Sequence, residues 1–377
     1  MKDKTNSKNK ILTVIISVMF LAFIFAGCLL YVFTPKSDYS ELEKRYLSTA
    51  PEISLKKVKS GEFSSDFEKF LADQTPLRSF FVSVNAYFEL IKGGNSVYLC
   101  KNGWLIEKPF ETENRFDKNL KEITDFAEKC DLPVTLIAVP EKGALLGAYL
   151  PKNALEYHDF DYMQKIADAF AKIDNAEYVD LREPFSDMLN RSYYYRTDHH
   201  WTSEGAFAAY RELCAVKGFS EPALTDYDIS SFDGFYGTSY STSCYFLTKP
   251  DEVHLFINPN LNAKVKITEG SDVRENDSVF FTDRLDEGDM YTVFLDGNHT
   301  RVDITSGVND KKLLLIKDSF AHCLAPFLAE QYGEITMIDQ RYFNTPVSRL
   351  IEEEGFDELM FVYGVSGLAT DRDISLF

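Results

Sequence analysis

The chain is short of basic residues, and this shortage excludes one class of partner. Its 377 residues include 40 Lys and Arg against 59 Asp and Glu, which gives a formal net charge of -19. Nucleic-acid phosphates require a basic protein surface, so no nucleic-acid partner is expected. The same negative charge disfavours adhesion of the folded part to anionic lipid.

Cysteine and histidine are also scarce, and their spacing indicates neither a disulfide framework nor a zinc site. The chain has 6 Cys, without a Cys-x-x-Cys pair, and 6 His, without metal-ligand spacing outside one Asp-His-His run. Because Cys28 lies in an apolar segment, an odd number of cysteines remains in the rest of the chain. We expect these to be mostly buried thiols, and a single disulfide is the alternative. No cofactor and no structural metal are expected.

The chain does have ample apolar material for a core. Apolar residues make up 45% of it and aromatic residues 14%, so it is not a disordered protein. Its length allows one large domain or two small ones.

One long apolar run lies near the N-terminus. Ile11–Phe33 carries no charged residue and is long enough to cross a bilayer as a helix. Because lysines precede it (Lys2, Lys4, Lys8 and Lys10), the positive-inside rule places that end in the cytoplasm. The sequence predicts a cytoplasmic tail over 1–10, a transmembrane signal anchor over 11–33 and an extracytoplasmic remainder held at the cell membrane. A cleaved signal peptide and a lipoprotein signal ending at Cys28 are the alternatives.

Behind this run, the pattern predicts a connector and then one α/β domain. Residues 34–96 begin as a polar connector and continue as amphipathic helices. Over 97–377, short apolar strands such as Val134–Val139 and Leu359–Tyr363 alternate with helices, which is typical of a parallel sheet covered on both faces. The stretch from about 220 to 309 is rich in Gly, Asp, Ser, Thr and aromatic residues, and its alternating patches, such as 278–281 and 291–294, predict β-hairpins inserted in that domain.

Ser319 occupies a position where open α/β sheets form their sites. It follows the apolar strand Lys312–Ile316 and precedes a helical pattern starting at Phe320. Sites lie at the C-terminal ends of strands, and the N–H groups of a helix N-terminus favour a developing oxyanion. A serine hydroxyl needs a neighbouring base to act as a nucleophile. The alternative is that Ser319 only caps the helix.

An Asp-His-His-Trp run supplies the base that such a serine requires. If its loop is extended, Asp198 and His200 share one side while His199 faces the other. Asp198 can then fix the tautomer of His200, which takes the proton from Ser319. His322, three residues after the serine, is a weaker candidate base, and a metal site at the run is another alternative.

These motifs together resemble the DHHW family, which is named for the run Asp198-His199-His200-Trp201 and is similar to the alginate O-acetylation proteins with an SGNH-hydrolase-like domain. The resemblance covers about 43–371. Its other markers are Ser60 to Phe63, Asp73 to Arg78, Asn102 to Leu105, Leu295 to Asn298, and Lys317 to Phe320.

The family's site residues are implied by the same resemblance. In such proteins the Asp-x-His pair and the Ser form the catalytic triad, which implies Asp198, His200 and Ser319. The sequence departs from the family pattern at Tyr363-Gly364, where a Tyr-Asn pair is usual. The implied oxyanion donors are therefore backbone N–H groups at Ser319 and at a glycine.

The resemblance implies an SGNH-hydrolase-like three-layer α/β/α domain and an O-acetyltransferase, or acetylesterase, acting on a secreted or cell-wall polysaccharide. Because acetyl-CoA is absent outside the cytoplasm, a membrane-bound O-acyltransferase supplying acetyl groups is the implied partner. The predicted substrate-binding residues are His199, Trp201, Lys142, Arg341 and Tyr195. Two other functions stay open: a non-catalytic polysaccharide-binding or assembly subunit of the same fold, and a metal-dependent phosphoesterase.

Overall fold

The computed structural model of the protein describes residues 2–109 and 115–374. The chain divides into two compact units, Met1–Ile91 and Lys92–Phe377. Residue 1 of the predicted cytoplasmic tail, and residues 110–114 and 375–377 of the predicted α/β domain, lie outside the described residues. The predicted domain limits at 10, 33 and 96 stay a prediction.

The first unit contains one long apolar helix and several shorter elements. Within its first helix, Ile11–Phe33 has a mean hydropathy of 2.7 and is long and apolar enough to cross a membrane. The elements of this unit are α1 (Lys2–Phe33), β1 (Tyr39–Ser40), β2 (Arg45–Tyr46), α2 (Leu55–Ser60), α3 (Glu62–Asp73) and α4 (Arg78–Lys92).

Hydrogen bonds hold the segment after α1 against the turn between α3 and α4. The Gln74 side chain accepts from the Ser37 N–H at 3.1 Å and donates to the Ser37 carbonyl at 2.8 Å. Buried Asp73 accepts from the Arg45 guanidinium, which holds the pKa of that carboxyl at about 2. This pairing gives the Asp73-to-Arg78 motif a structural role.

The second unit is an α/β domain whose strands and helices alternate along most of the chain. Its strands are β3 (Val97–Leu99), β4 (Leu105–Glu107), β5 (Val134–Val139), β6 (Ala176–Val179), β7 (Asp228–Phe235), β8 (Asp251–Ile257), β9 (Lys264–Glu269), β10 (Asp272–Asn276), β11 (Arg301–Thr305), β12 (Lys312–Lys317), β13 (Glu334–Ile338) and β14 (Glu358–Gly364). Its helices are α5 (Arg115–Lys129), α6 (Lys142–Leu145), α7 (Asp159–Phe170), α8 (Met188–Arg191), α9 (Ser203–Lys217), α10 (Thr238–Ser243), α11 (Phe320–Leu328), α12 (Val347–Glu354) and α13 (Val365–Thr370).

An 8-stranded sheet in the order β10-β9-β11-β13-β12-β14-β5-β6 forms the centre of this unit. The strands from β13 to β6 in that order are parallel, and β12 and β14 are buried apart from their first residues because helices cover both faces. Each fully buried Leu of β12 stabilises the fold by roughly 1.5–3 kcal/mol. The prediction of an α/β domain with a parallel sheet is confirmed.

The region over about 220–309, predicted as a β-rich insertion, contains the antiparallel pairs β7–β8 and β9–β10, and its limits as an insertion stay a prediction. Only β7 and β8 form a separate antiparallel pair, whereas β9, β10 and β11 extend the central sheet with antiparallel strands. The predicted strand patch at 291–294 is confirmed only at Phe294, which forms an antiparallel bridge with Phe280, because Met290–Val293 is a 3-10 turn. Most of its side chains point into the core, where a strand would direct every second one outward.

Candidate active site

Ser319 lies in the turn from β12 to α11, at the C-terminal edge of the parallel strands. It is half-buried, and its side chain makes no capping hydrogen bond to α11. Its Oγ lies 2.6 Å from Nε2 of His200 instead. The Ser319 hydroxyl is therefore paired with the His200 imidazole. It does not cap the helix, which was the alternative considered from the sequence.

Asp198 holds the other side of the same imidazole. Its Oδ1 lies 2.6 Å from His200 Nδ1 and also accepts from the His200 backbone N–H at 2.8 Å. A proton on Nδ1 leaves Nε2 free to accept from the serine hydroxyl, which is the arrangement a general base requires. Burial would raise the pKa of Asp198, but the charges and hydrogen bonds of His200, His199 and Thr238 outweigh it and hold that pKa well below its ordinary value.

Thr238 binds the remaining oxygen of Asp198 and Gly237 packs closely against the same residue, and no sequence pattern singles out either of them. Asp198 Oδ2 accepts from the backbone N–H of Thr238 at 2.6 Å and from its hydroxyl at 3.0 Å. A Cβ added at Gly237 would lie 2.1 Å from the Asp198 Cβ, so glycine is required at this close approach. A hairpin distant in sequence thus holds the carboxylate in place.

Trp201 connects the loop that carries the base to the turn that carries the nucleophile. Its indole N–H donates to the carbonyl of Phe320 at 3.0 Å, and the side chain is fully buried. Tyr195 is also buried, with its ring edge-on to Phe235 at 4.9 Å. Neither ring is open to solvent in this structure, so the predicted binding of substrate by Trp201 and Tyr195 stays a prediction without support from their burial.

Lys142 is buried, like Trp201 and Tyr195, and its ammonium lies against the loop that carries Asp198. It is 2% exposed, and its ammonium donates to the carbonyls of Tyr195, Arg196 and Asp198 at 3.2, 3.4 and 2.5 Å. Burial lowers its pKa, which the neighbouring carboxylates oppose. Every described contact of the ammonium is with this loop, and the predicted contact of Lys142 with substrate stays a prediction.

His199 does not face away from the site as the alternation of an extended strand would require. The loop bends, and the His199 ring lies 3.8 Å from the His200 ring, with its Nδ1 2.5 Å from the Thr238 hydroxyl. About a quarter of its side chain is exposed, at 27%. His199 is thus the member of the run that solvent reaches, and its predicted contact with substrate stays a prediction.

The Asp198, His199 and His200 side chains lie close enough for a metal site, since their ligand atoms fall within 4.8 Å of one another. However, both Asp198 oxygens and the Nδ1 atoms of both imidazoles already have hydrogen-bond partners within the described residues. His200 Nε2 faces Ser319. This pairing of donors with acceptors favours a proton relay over metal ligation.

Tyr291 covers the free face of the candidate base. Its ring stacks on His200 with 3.9 Å between centroids and 7° between planes, and its hydroxyl donates to the Ser319 carbonyl at 3.3 Å. A ring face beside an imidazole that becomes charged stabilises that charge. Sequence reasoning missed Tyr291 because its segment resembled a β-strand.

Replacing Tyr291 with Leu is expected to lower kcat by about tenfold, because a stacked ring contributes roughly 0.5–1.5 kcal/mol and 1.36 kcal/mol is a factor of ten. Tyr291→Phe keeps the ring and loses one long hydrogen bond, so its rate should fall by less than about threefold. Hydrolysis of 4-nitrophenyl acetate measures both. Equal losses in the two variants would contradict a role for the ring.

The oxyanion donors are fewer than the sequence implied. The Gly364 N–H donates to Asp318 Oδ2 at 2.7 Å, so it is not available to an oxyanion. The Ser319 N–H has no hydrogen-bond partner within residues 2–109 and 115–374. A Cβ at Gly364 would lie 2.7 Å from the Phe320 ring, which explains why no side-chain donor can occupy this position without moving Phe320.

His322 and Arg341 belong to a separate buried network. His322 Nε2 lies 2.8 Å from the ammonium of Lys317, which also pairs with Asp339 at 3.2 Å. Arg341 binds both oxygens of Asp339 and keeps 39% of its side chain exposed. His322 is thus committed to Lys317, while the predicted contact of Arg341 with substrate stays a prediction.

The pH dependence of this site is expected to have a low acid limb. Burial lowers the pKa of His200 to about 4, the neighbouring His199 acts in the same direction, and Asp198 opposes both. With the neutral imidazole acting as the predicted general base, kcat/KM should be lost as the pH falls through about 4, well below the 6.5 of an ordinary histidine. Burial raises the pKa of Glu141 to about 7, but this carboxyl hydrogen-bonds Ser366 and not the triad.

The variant His199→Gln tests this electrostatic account. Removing the neighbouring imidazole should move the acid limb of the kcat/KM profile upward, towards 6.5. A limb near 6.5 in the unaltered protein, or one that does not move in the variant, would contradict it.

Comparison with known proteins gives a family match and two close folds. The family model described as DHHW protein matches residues 150–338. A DHHW family protein from Eubacterium siraeum has a TM-score of 0.61 and 22% identity, with 73% of this chain and 92% of that chain covered. Bacillus cereus PatB1 has a TM-score of 0.61 and 19% identity, with 74% and 99% covered. A structure of Bacillus cereus PatB1 with a sulfonyl adduct has a TM-score of 0.61 and 18% identity, with 74% of this chain and 97% of that chain covered.

The similarities to solved structures establish the fold and carry no information on the reaction. The similarity to these structures confirms the predicted α/β fold with a parallel central sheet. At identities below 25%, it shows nothing further. No curated protein matches the sequence.

Proposed function

This chain belongs to the DHHW family, and on that premise we propose that it is an extracytoplasmic acyl-transfer enzyme that adds acetyl groups to, or removes them from, a polysaccharide. One observation carries the proposal. Ser319, His200 and Asp198 form a continuous hydrogen-bonded chain with both links at 2.6 Å. Such a chain activates a serine for attack on an ester.

The reaction proceeds in two halves through an acetyl-enzyme. Ser319 Oγ attacks the acetyl carbonyl of the donor ester while its proton passes to His200 Nε2, and Asp198 stabilises the imidazolium. The Ser319 N–H and the N-terminus of α11 face the oxyanion. When the ester C–O bond breaks, His200 returns the proton to the leaving oxygen. In the second half, a sugar hydroxyl or water gives its proton to His200 Nε2 and attacks the acetyl carbonyl. The bond between that carbonyl carbon and Ser319 Oγ then breaks, and His200 returns the proton to Ser319 Oγ.

The membrane setting is the second part of the proposal. The apolar run Ile11–Phe33 serves as a signal anchor, with the α/β domain outside the cytoplasm. An enzyme placed there has no acetyl-CoA, so a membrane-bound O-acyltransferase would supply the acetyl groups. This partner and the polysaccharide are supported by the family resemblance.

Covalent labelling of Ser319 tests the enzyme proposal. The full chain is treated with a fluorophosphonate and, separately, with an aryl sulfonyl fluoride, because PatB1, a protein of similar fold, has been captured with a sulfonyl adduct. Peptide mass spectrometry should find the adduct on Ser319. Ser319→Ala and His200→Ala should both abolish labelling, whereas the control Ser366→Ala should keep it.

The same protein then distinguishes transfer from hydrolysis and from a binding role. Release of 4-nitrophenol from 4-nitrophenyl acetate, with an added acetyl mass on an oligosaccharide acceptor, supports transferase activity. Release without acceptor modification supports an esterase. An unlabelled Ser319 together with retained glycan binding would replace the enzyme with the non-catalytic subunit.

A further inference from the structure

Helix α4 has the reverse of the usual burial pattern. Its large apolar side chains Phe80, Phe81, Phe88 and Ile91 are 56%, 56%, 58% and 82% exposed. At 3.6 residues per turn these four lie within an arc of roughly 100°. The small residues Ser83 and Ala86, on the other side of the helix, are buried. A continuous apolar stripe of this kind marks an interaction surface.

The start of α4 is held close to the end of the apolar helix α1. Gln74, in the turn before α4, hydrogen-bonds Ser37 in both directions, and Arg78, the first residue of α4, pairs with Glu43. Ser37 follows Phe33 by four residues, a reach of at most about 14 Å for extended chain. The α4 stripe therefore begins within a short distance of the point where α1 ends.

Side chains at this end of α1 are of the types found at a membrane surface. The ammonium of Lys36 donates to the Tyr31 carbonyl at 2.7 Å and lies 3.6 Å from the Tyr31 ring centre. Tyrosine and lysine are enriched where apolar helices meet the headgroups, because each combines an apolar body with a polar tip. The α3–α4 turn is thus tied to a segment with the chemistry of the membrane interface.

The exposed stripe of α4 carries no charged residue, which favours an apolar partner. The helix carries only Arg78, Glu89 and Lys92 as charged residues, and its exposed stripe has none. Burial of phenyl and aliphatic side chains would therefore supply the attraction, without any need for anionic lipid. A bilayer interface of zwitterionic lipid satisfies this requirement.

We propose that the face of α4 formed by Phe80, Phe81, Phe88 and Ile91 lies in the headgroup–acyl boundary of the membrane that α1 enters. The proposal rests on the proposed anchor at Ile11–Phe33. With both α1 and α4 in contact with one membrane, the connector is fixed at two places rather than one. Two membrane contacts restrict the motion of the connector relative to the bilayer, which a single contact at α1 would not do.

Photo-crosslinking of the full chain in nanodiscs of phosphatidylcholine tests the proposal. p-Benzoylphenylalanine replaces Phe88 in the test variant, Ser79 in the matched control and Phe20 in the anchor control. Ser79 is exposed on the same helix but lies on the side opposite Phe81. Lipid adducts are read by mass spectrometry of tryptic peptides.

The expected result is a lipid adduct at positions 20 and 88 and no lipid adduct at position 79. An adduct at 20 without one at 88 would overturn the α4 proposal and leave the anchor intact, and no adduct at either would overturn both. A protein adduct at 88 in native membranes, without a lipid adduct in nanodiscs, would also overturn it in favour of a protein partner. Labelling of Ser319 is independent of all these outcomes.

Discussion

The variant Asp198→Asn is expected to lower kcat by about ten-thousand-fold, the loss typical of this substitution in a serine triad. Both carboxylate oxygens accept from backbone N–H groups: Oδ1 from His200 at 2.8 Å and Oδ2 from Thr238 at 2.6 Å. An amide NH₂ must therefore meet a backbone donor in either orientation. If it faces His200, it also removes the acceptor that keeps the proton on Nδ1.

Hydrolysis of 4-nitrophenyl acetate and the rate of fluorophosphonate labelling should fall together in Asp198→Asn. Asp161→Asn is the matched control, because the Asp161 side chain is 80% exposed and far less constrained. A rate for Asp198→Asn within tenfold of the unaltered protein would refute the assignment of Asp198 as the residue that orients the base.

The second large effect is expected for Lys142→Met, which keeps the length of the side chain and removes its charge. Three loop carbonyls, two of them in buried contacts, would lose their donor, and the buried Asp198 carboxylate would lose a nearby positive charge. Removing one partner of such a buried charged contact costs about 3–5 kcal/mol. The free energy of unfolding should fall by this amount, and activity should fall with it because the loop carries the base.

Urea unfolding followed by circular dichroism measures this loss. Lys101→Met is the matched control: the Lys101 ammonium also donates to a backbone carbonyl, that of Ala148 at 2.7 Å, but at the exposed surface. Its effect should stay within about 0.5 kcal/mol. Equal changes for Lys142→Met and Lys101→Met would show that the buried ammonium does not stabilise the loop.

The fold class and the pairing of Ser319 with His200 could be predicted from the sequence, because both depend on local patterns. The apolar strand before Ser319 and the spacing of Asp198 and His200 are visible within a few residues. The predicted pairing of Ser319 with His200 agrees with the 2.6 Å contact, although its catalytic role stays a proposal. Strand periodicity and residue type were sufficient for this part.

The remaining parts of the site depend on contacts between distant segments. Tyr291 stacks on His200 and Thr238 holds Asp198, and neither segment carries a pattern that points to the site. The burial of Trp201 and Lys142 likewise follows from the loop's folding inward, which residue type does not reveal. His199 was assigned to the wrong side because the loop bends and strand alternation does not apply.

The position of β14 has a consequence for how the domain is made. This strand is the last in the chain, yet it lies between β12 and β5 and makes the parallel connection between the two halves of the sheet. During synthesis, β5 and β12 must therefore wait with open apolar edges, which are prone to wrong pairing. The edge where Asp198, His200 and Ser319 meet can therefore form only after nearly the whole chain has been made. A chain truncated before β14 would contain all three residues but is expected to lack the arrangement that pairs them.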